Sequence, residues 1–422
     1  MNKTIKLALV AALALGATSA FATNGTNLIG YGAKSRAMGG TGISNFNGAE
    51  SAFANPALIT KSAKTTEITI GATLLMPDVS FELDDNAASV FAGTPTAGTK
   101  DSSTAGDGMI PAVAVINKVN DNFAWGIALY GTGGMGVDYR TTTPDSTIST
   151  KGVNDALLLM RMSIPLAYAT NGFSIGIAPV IEYGSLAMSA GAGSALENGA
   201  ASGGGATTDI ALGFEVGAAY EIAGVSMGID YKSAVTHDFK NTFVSLPYDS
   251  TNPSADMQTK LDTPSVLGLG VSYTMDEHTI ALDYKLIGYG SALGLEDFLW
   301  EDQSVIAVGY EYATTDWAAR VGYNYGANPL PSDILSTGAD MNTVAGSYMA
   351  FPAVTESHFT LGGSYNFNEQ MSVDAALMFA TGSATVDTPD FSQGGTVPAP
   401  GAGEITATND QTAITVALNY GF

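Results

Sequence analysis

The amino-acid sequence predicts an all-β, transmembrane antiparallel barrel of about fourteen strands with an N-terminal hatch in its lumen. Three observations carry that prediction. The chain is apolar without holding a segment suited to a spanning helix. Its segments of alternating polarity are joined by long and short connections in strict succession. The polar faces of those segments carry charges that a soluble core would not tolerate.

Hydrophobic residues make up 45% of the 422 and charged residues 13%, against the ~25% charge of an ordinary soluble domain. Past the amino terminus no stretch reaches the ~18 consecutive apolar residues that a spanning helix needs. Lipid then leaves only a closed barrel, because closure satisfies every backbone group. The 50 glycines and 18 tyrosines suit tight turns and aromatic girdles. With no cysteine in the chain, thiol catalysis, cysteine-ligated metals and disulfides are excluded. Net charge is −24, or −26 without Lys3 and Lys6 (14 − 40), a balance that argues against a nucleic-acid partner.

Residues 1–22 read as a signal peptide. Lys3 and Lys6 give the positive start, Leu7 to Ala17 the short apolar run, and Ala20-Phe21-Ala22 the small-x-small cleavage site, so cleavage is expected near Ala22/Thr23. Residues 23–63 do not alternate. They carry Leu28, Ile29, Tyr31, Met38, Phe46, Phe53, Leu58 and Ile59, more apolar content than a disordered linker usually holds, and are expected to fold inward as a plug. From 64 to 422 the barrel is expected, with strands at roughly 64–83, 109–118, 123–139, 155–169, 172–190, 208–221, 224–239, 263–275, 278–291, 303–313, 316–325, 356–367, 370–386 and 411–422. Gaps of 11 to 30 residues alternate with gaps of two to four. Large outer loops and tight periplasmic turns produce this asymmetry, and a soluble sandwich has no reason to.

Period two assigns the faces. Ile280, Leu282, Tyr284 and Leu286 oppose Ala281, Asp283 and Lys285; Met227, Ile229 and Tyr231 oppose Ser226, Asp230 and Lys232; Trp317, Val321 and Tyr323 oppose Arg320. Burying Asp, Lys and Arg in an apolar core is costly without partners, whereas a polar lumen behind a lipid-facing wall accommodates them. Ile414, Val416, Leu418, Tyr420 and Phe422 alternate to a terminal aromatic. That pattern resembles the assembly signal of bacterial outer-membrane proteins and implies the barrel assembly machinery as a partner.

Two clusters stand out before the first strand, Ser35-Arg36-Ala37-Met38-Gly39-Gly40 and Ala54-Asn55-Pro56-Ala57. Together they resemble the N-terminal hatch of the FadL/TodX outer-membrane transporters. Thr263-Pro264-Ser265, Gly309-Tyr310-Glu311-Tyr312, Arg320-Val321-Gly322-Tyr323 with Asn328-Pro329, and His358-Phe359-Thr360-Leu361-Gly362 are similar to that family's later strands, in order. The resemblance implies a plugged fourteen-stranded barrel in a Gram-negative outer membrane, set in lipid and lipopolysaccharide. It also implies passive uptake of a hydrophobic ligand, a fatty acid or a hydrocarbon: capture at outer loops, hatch rearrangement, and sideways exit at a kink in the third strand. Arg36, Gly39, Gly40, Asn55, Pro56 and Ala57 become the expected gating residues.

Gly131, Gly133, Gly134 and Gly136 on the third strand are candidates for that kink, since interior glycines mark bulges and bends. The same run also suits the top of a strand entering its loop. Arg161, Lys232, Lys285 and Arg320 point into the lumen by period two and are candidates to meet a ligand carboxylate; Asp230, Asp283, Glu311, Glu182 and Asp374 share that lumen and could instead neutralise them. His237, His278 and His358 are scattered over strand ends and are expected at the rim, with no nucleophile–base pair for catalysis. No cofactor or metal cluster is expected. The long loop at 326–355 carries Leu330, Ile334, Leu335, Met341, Tyr348, Met349, Phe351 and Val354, and that at 240–262 carries Phe243, Val244, Leu246, Tyr248 and Met257. They form either a greasy docking surface or loops packed across the barrel mouth. A diffusion porin for polar solutes is the alternative reading, with an outer-membrane hydrolase and an adhesive barrel behind it.

Overall fold

A computed structural model describes residues 23–87, 98–141, 153–190, 202–203, 206–240, 260–331, 341–390 and 399–422. The expected signal peptide lies outside the described residues, as do Ile334 and Leu335 and the apolar residues noted between 243 and 257.

Fourteen strands form the wall. They are β1 (Thr66–Leu83), β2 (Gly108–Lys118), β3 (Phe123–Asp138), β4 (Asn154–Ser163, continued as Leu166–Thr170), β5 (Phe173–Ala190), β6 (Thr207–Ile222), β7 (Val225–Lys232), β8 (Val266–Met275), β9 (His278–Ile287), β10 (Gln303–Ala313), β11 (Trp317–Gly326), β12 (Ser357–Asn366), β13 (Met371–Thr381, continued as Ser383–Asp390) and β14 (Ala399–Gly421). Each pairs antiparallel with its neighbour, and β14 returns to β1 from Glu67↔Gly421 to Leu83↔Ile405. Short turns join one end. Asn171-Gly172 and Ala223-Gly224 have positive φ at both positions, the two-residue geometry that suits twisted hairpins.

The expected faces hold through the membrane. Leu282 is 45% exposed on the outside of β9, and its neighbour Asp283 is wholly buried. Toward the long-loop end the pattern inverts. On β1, Ile70 and Leu74 face out, whereas Val79, Phe81 and Leu83 face in. There the strands have left the lipid, so water wets the outside and an apolar cluster fills the inside. This inversion explains why β14 begins at Ala399 and not at 411, and why β13 runs to Asp390. In that stretch Ile405 and Ala407 are buried, while Thr406 bonds Thr385 on the outer face at 2.9 Å, so apolar-out alternation could not mark it. The segment expected at 278–291 ends as a strand at Ile287, because Tyr289–Ser291 turns into a 3-10 helix. β7 stops at Lys232, and Val235–Asp238 pairs with Lys260–Thr263 in a separate two-stranded ribbon.

Residues 23–63 fold into the lumen, and nearly all are buried by the wall. Helix α1 (Ala33–Ala37) packs on β11 to β14, and 3-10 turns at Gly48–Phe53 and Pro56–Lys61 pack on β1 to β6. A second helix, α2 (Met341–Ala350), sits within the loop between β11 and β12.

Leu282→Arg is expected to destabilise the barrel by about 2–4 kcal/mol, read as a lowered denaturation midpoint in lipid vesicles.

Candidate functional site

The wall is interrupted between β2 and β3. Their ladder runs from Lys118↔Ala124 to Ala112↔Tyr130 and stops. Contact resumes at the rim, where Thr104 N donates to Asp138 O at 2.7 Å and Asp138 N to Ser103 Oγ at 2.9 Å. Between those points lies a window. On its other edge β3 stays paired to β4 up to Asp138↔Asn154, with one extra residue between Gly131 and Gly133. A bulge of this kind bends its strand. From Tyr130 to Val137 every residue of β3 is buried, so this part of the strand has lost its lipid-facing side and is tucked inward. Gly131, Gly133, Gly134 and Gly136 therefore belong to a laddered, inward-bent strand and not to a loop.

The amino-terminal segment fills the window from inside. Leu28 N donates to Thr132 O at 3.3 Å, Gly134 N donates to Thr26 O at 3.1 Å, and Asn27 bridges Gly133. A Cβ on Gly133 would collide with the Thr26 carbonyl, and one on Gly131 would collide with the Ile110 side chain across the gap. The backbone groups that β2 leaves unpaired are thus met partly by the hatch.

Side chains of the wall hold the hatch by its backbone. Asp283 accepts from Gly42 N at 2.8 Å and Ile43 N at 3.0 Å. Lys285 donates to Ile29 O at 2.8 Å and Gly40 O at 2.9 Å, and Lys232 donates to Ala54 O at 3.0 Å. Asn324 Nδ2 bonds Gly39 O at 3.0 Å, while Thr360 Oγ1 accepts from Gly39 N at 2.9 Å. Arg36 reaches the wall at Thr73 Oγ1, 2.7 Å, and Thr415 Oγ1, 3.2 Å. Gly39 and Gly322 press together so closely that a Cβ on either would strike the other's backbone neighbourhood. The Arg-Ala-Met-Gly-Gly and Arg-Val-Gly-Tyr clusters of the sequence therefore meet in space. Asn55 caps its 3-10 turn through Ala57 N at 3.0 Å and ties Ile43 O at 2.8 Å, with Pro56 lying against Gly176 and Gly217.

At the long-loop end the latch is Tyr289. Its hydroxyl donates to Asn24 O at 2.7 Å and accepts from Thr26 N at 2.7 Å. Its ring meets Trp300 edge-on at 5.0 Å, inside an apolar cluster that includes Phe298, Leu330, Tyr348, Met349, Phe351 and Val354. These loop side chains are buried, so the described ones pack across the mouth and do not form a greasy exposed surface.

The four lumen cations have protein partners. Arg161 pairs with Glu182 at 2.7 Å, Arg320 with Glu311 at 2.6 Å, and Lys232 with Asp230 at 2.7 Å and with Glu215; Lys285 serves the hatch carbonyls. Lys232 and Lys285 also line a cavity of about 40 Å³ between hatch and wall, room for water and not for a long hydrophobe. Two of the three histidines depart from the rim expectation. His278 is exposed beside Tyr310, but His237 is buried against Glu182 at 3.2 Å because its ribbon folds inward, and His358 is buried in the lumen face of β12.

Comparison with known proteins decides the family. A family model described as outer membrane protein transport protein (OMPP1/FadL/TodX) matches residues 7–422. The chain belongs to this family. Among curated proteins it is 47% identical over 87 residues to an uncharacterized protein in the phosphoenolpyruvate carboxykinase gene 5′ region of Chlorobium limicola, covering 20% of this chain and 42% of that one. It is 28% identical over 127 residues to a putative outer membrane protein of Neisseria meningitidis serogroup B, covering 29% and 27%. The matched regions span less than half of either relative. Among solved structures, a Pseudomonas aeruginosa FadL homologue superposes at TM-score 0.68 with 16% identity, covering 94% of this chain and 100% of that one. The toluene transporters TodX of P. putida (0.65, 18%) and TbuX of Ralstonia pickettii (0.62, 17%) each cover 94% of this chain and 99% of their own. At these identities the likeness is one of fold.

The sequence motifs mark Gly39, Gly40 and Asn55, but not that Asn324 and Thr360 hold Gly39, that Asp283 holds Gly42 and Ile43, or that Tyr289 holds Asn24 and Thr26. Period two put Asp283 in the lumen; only the fold shows which backbone it meets.

Two outcomes follow. Gly133→Ala is expected to expel residues 24–28 from the window by breaking two backbone hydrogen bonds worth about 1 kcal/mol each. Amide exchange of Leu28 should then rise about tenfold or more while the barrel stays folded. The second concerns Glu50, whose carboxylate accepts from Ala33 N at 2.8 Å and Lys34 N at 3.0 Å. Burial and the nearby charge of Asp374 push it up to about 7, against Lys34 and those two N–H groups. A carboxyl raised from an ordinary 4.5 stabilises the hatch while protonated, and that contribution is lost as pH rises through about 7. Exchange at Ala33 and Lys34, corrected for intrinsic rates, should therefore quicken between pH 5 and 8, and Glu50→Gln should flatten the dependence.

Proposed function

We propose that this protein carries hydrophobic molecules passively across the outer membrane, with long-chain fatty acids as the default substrate. The observation that carries the reading is the window between β2 and β3, tucked inward at the glycine bulge and stopped by the chain's own amino-terminal backbone. Ligand is captured at the apolar mouth around Tyr289 and Trp300. Displacing Tyr289 frees Asn24 and Thr26, residues 24–28 leave the window, and the ligand exits sideways into lipid. In this reading Arg36, Gly39, Gly40, Asn55, Pro56 and Ala57 hold the hatch through the cycle.

One observation favours a second substrate class. Arg161, Lys232, Lys285 and Arg320 are already bonded to protein groups, and a buried carboxylate without a partner is costly. Uncharged hydrophobes, such as the toluene carried by the solved TodX and TbuX relatives, need no such partner.

Uptake of radiolabelled oleate and of toluene by cells expressing the protein tests both, beside ion conductance in planar bilayers. Saturable uptake of at least one with low steady conductance is expected. Large steady conductance without hydrophobe binding would replace the reading with a diffusion porin. Deleting residues 23–58 should open a conductance absent from the intact protein.

A further inference from the structure

We propose that Tyr31 is the partition between the lumen cavity and the window, and that swinging its ring aside joins the two. This rests on the lateral-exit reading and adds the residue that separates the space between hatch and wall from the window.

Tyr31 lines two voids. One is the cavity of about 40 Å³ beside Lys232, Lys285 and Ile43. The other, about 10 Å³, is bounded by Ile110, Pro111 and Ala112 of β2 and by Tyr130 and Gly131 of β3. Those are the residues at which the β2–β3 ladder ends, so the second void is the inner floor of the window. The ring stands between them, edge-on to Tyr130 with centroids 5.0 Å apart. It also packs on two otherwise separate apolar clusters, one built around Phe53, Ile116 and Tyr130, the other around Ile29, Leu75 and Ile110.

The attachment of the ring suits movement. Tyr31 lies between Gly30 and Gly32, and Gly32 has φ 83°, a conformation glycine adopts without strain. Among the described residues its ring is held by packing, aromatic and aliphatic, and no hydrogen bond ties its hydroxyl. Moving it forfeits dispersion contacts and leaves no buried polar group unpaired. By contrast, Lys232 and Lys285 on the cavity side are each held by several bonds, so the cavity's polar wall stays while the aromatic one gives way. The working part is the ring and not its hydroxyl.

The chain has no cysteine, so Ser35→Cys, at a position lining the inner cavity, provides a single thiol. The protein carrying it is reconstituted in lipid vesicles and labelled from the bilayer with N-(1-pyrenyl)maleimide, and from water with a charged methanethiosulfonate. With Tyr31→Ala, bilayer labelling should speed by about tenfold, equivalent to removing about 1.4 kcal/mol of barrier, while Tyr31→Phe leaves it unchanged. Labelling from water should be the same in all three. Unchanged bilayer labelling in Tyr31→Ala overturns the proposal, and so does equal acceleration by the charged reagent, which reports a loosened hatch. Tyr31→Leu replaces the alanine variant if that one does not reach the folded, heat-modifiable form. Oleate uptake is measured alongside. The expected labelling pattern without uptake in any variant would sink the transport reading and leave the partition standing; uptake with flat labelling would do the reverse.

Discussion

Every backbone group that crosses a bilayer must find its partner inside the protein. The seam between β1 and β14 meets that requirement over the whole length of β1, and the wall exists because it does. The same requirement gives the window its character. Where β2 and β3 part, the edges would face lipid with unpaired N–H and C=O groups. Thr26 and Leu28 supply partners from within, so the hatch completes the wall as well as filling the lumen. Residues 26–28 cannot leave the window without unpairing β3 there.

That coupling is reinforced by how the lumen handles charge. Acids and bases at such depth need partners, and most find them in each other: Arg161 with Glu182, Lys232 with Asp230, Arg320 with Glu311. Asp283 and Lys285 find them in hatch backbone. The irregular backbone of residues 23–63, which could not survive in lipid, is satisfied by its own turns and by groups of the wall. The two parts stabilise each other, and neither set of polar groups would be content alone.

The mouth and the window communicate through few atoms. Tyr289 belongs to an apolar cluster at the long-loop end, yet its hydroxyl grips Asn24 and Thr26. The apolar cluster at the mouth is therefore tied through one side chain to the segment that stops the window. Tyr31 stands farther in, held by packing where its neighbours are held by hydrogen bonds. Polar restraints thus hold the segment at the mouth, and an aromatic contact holds Tyr31 beside the window.

How much of this was legible follows from the physics of each part. Alternation on β7, β9 and β11 read directly, because lipid outside and polar lumen inside impose opposite demands on successive residues. The upper half of β14 was not legible as a strand, since above the lipid the demands invert and Thr406 and Thr408 face out. His237 reads as a rim residue because nothing local signals that its ribbon folds inward. By itself the sequence determined strand number, wall faces, the plug and the glycine cluster of the third strand, all of which depend on near neighbours along the chain. Tertiary structure alone decided that β2 leaves β3 at Tyr130, that Thr26 bonds into the gap, and that Tyr289 holds Asn24 and Thr26. Those contacts join residues far apart in sequence, where no local periodicity can announce them.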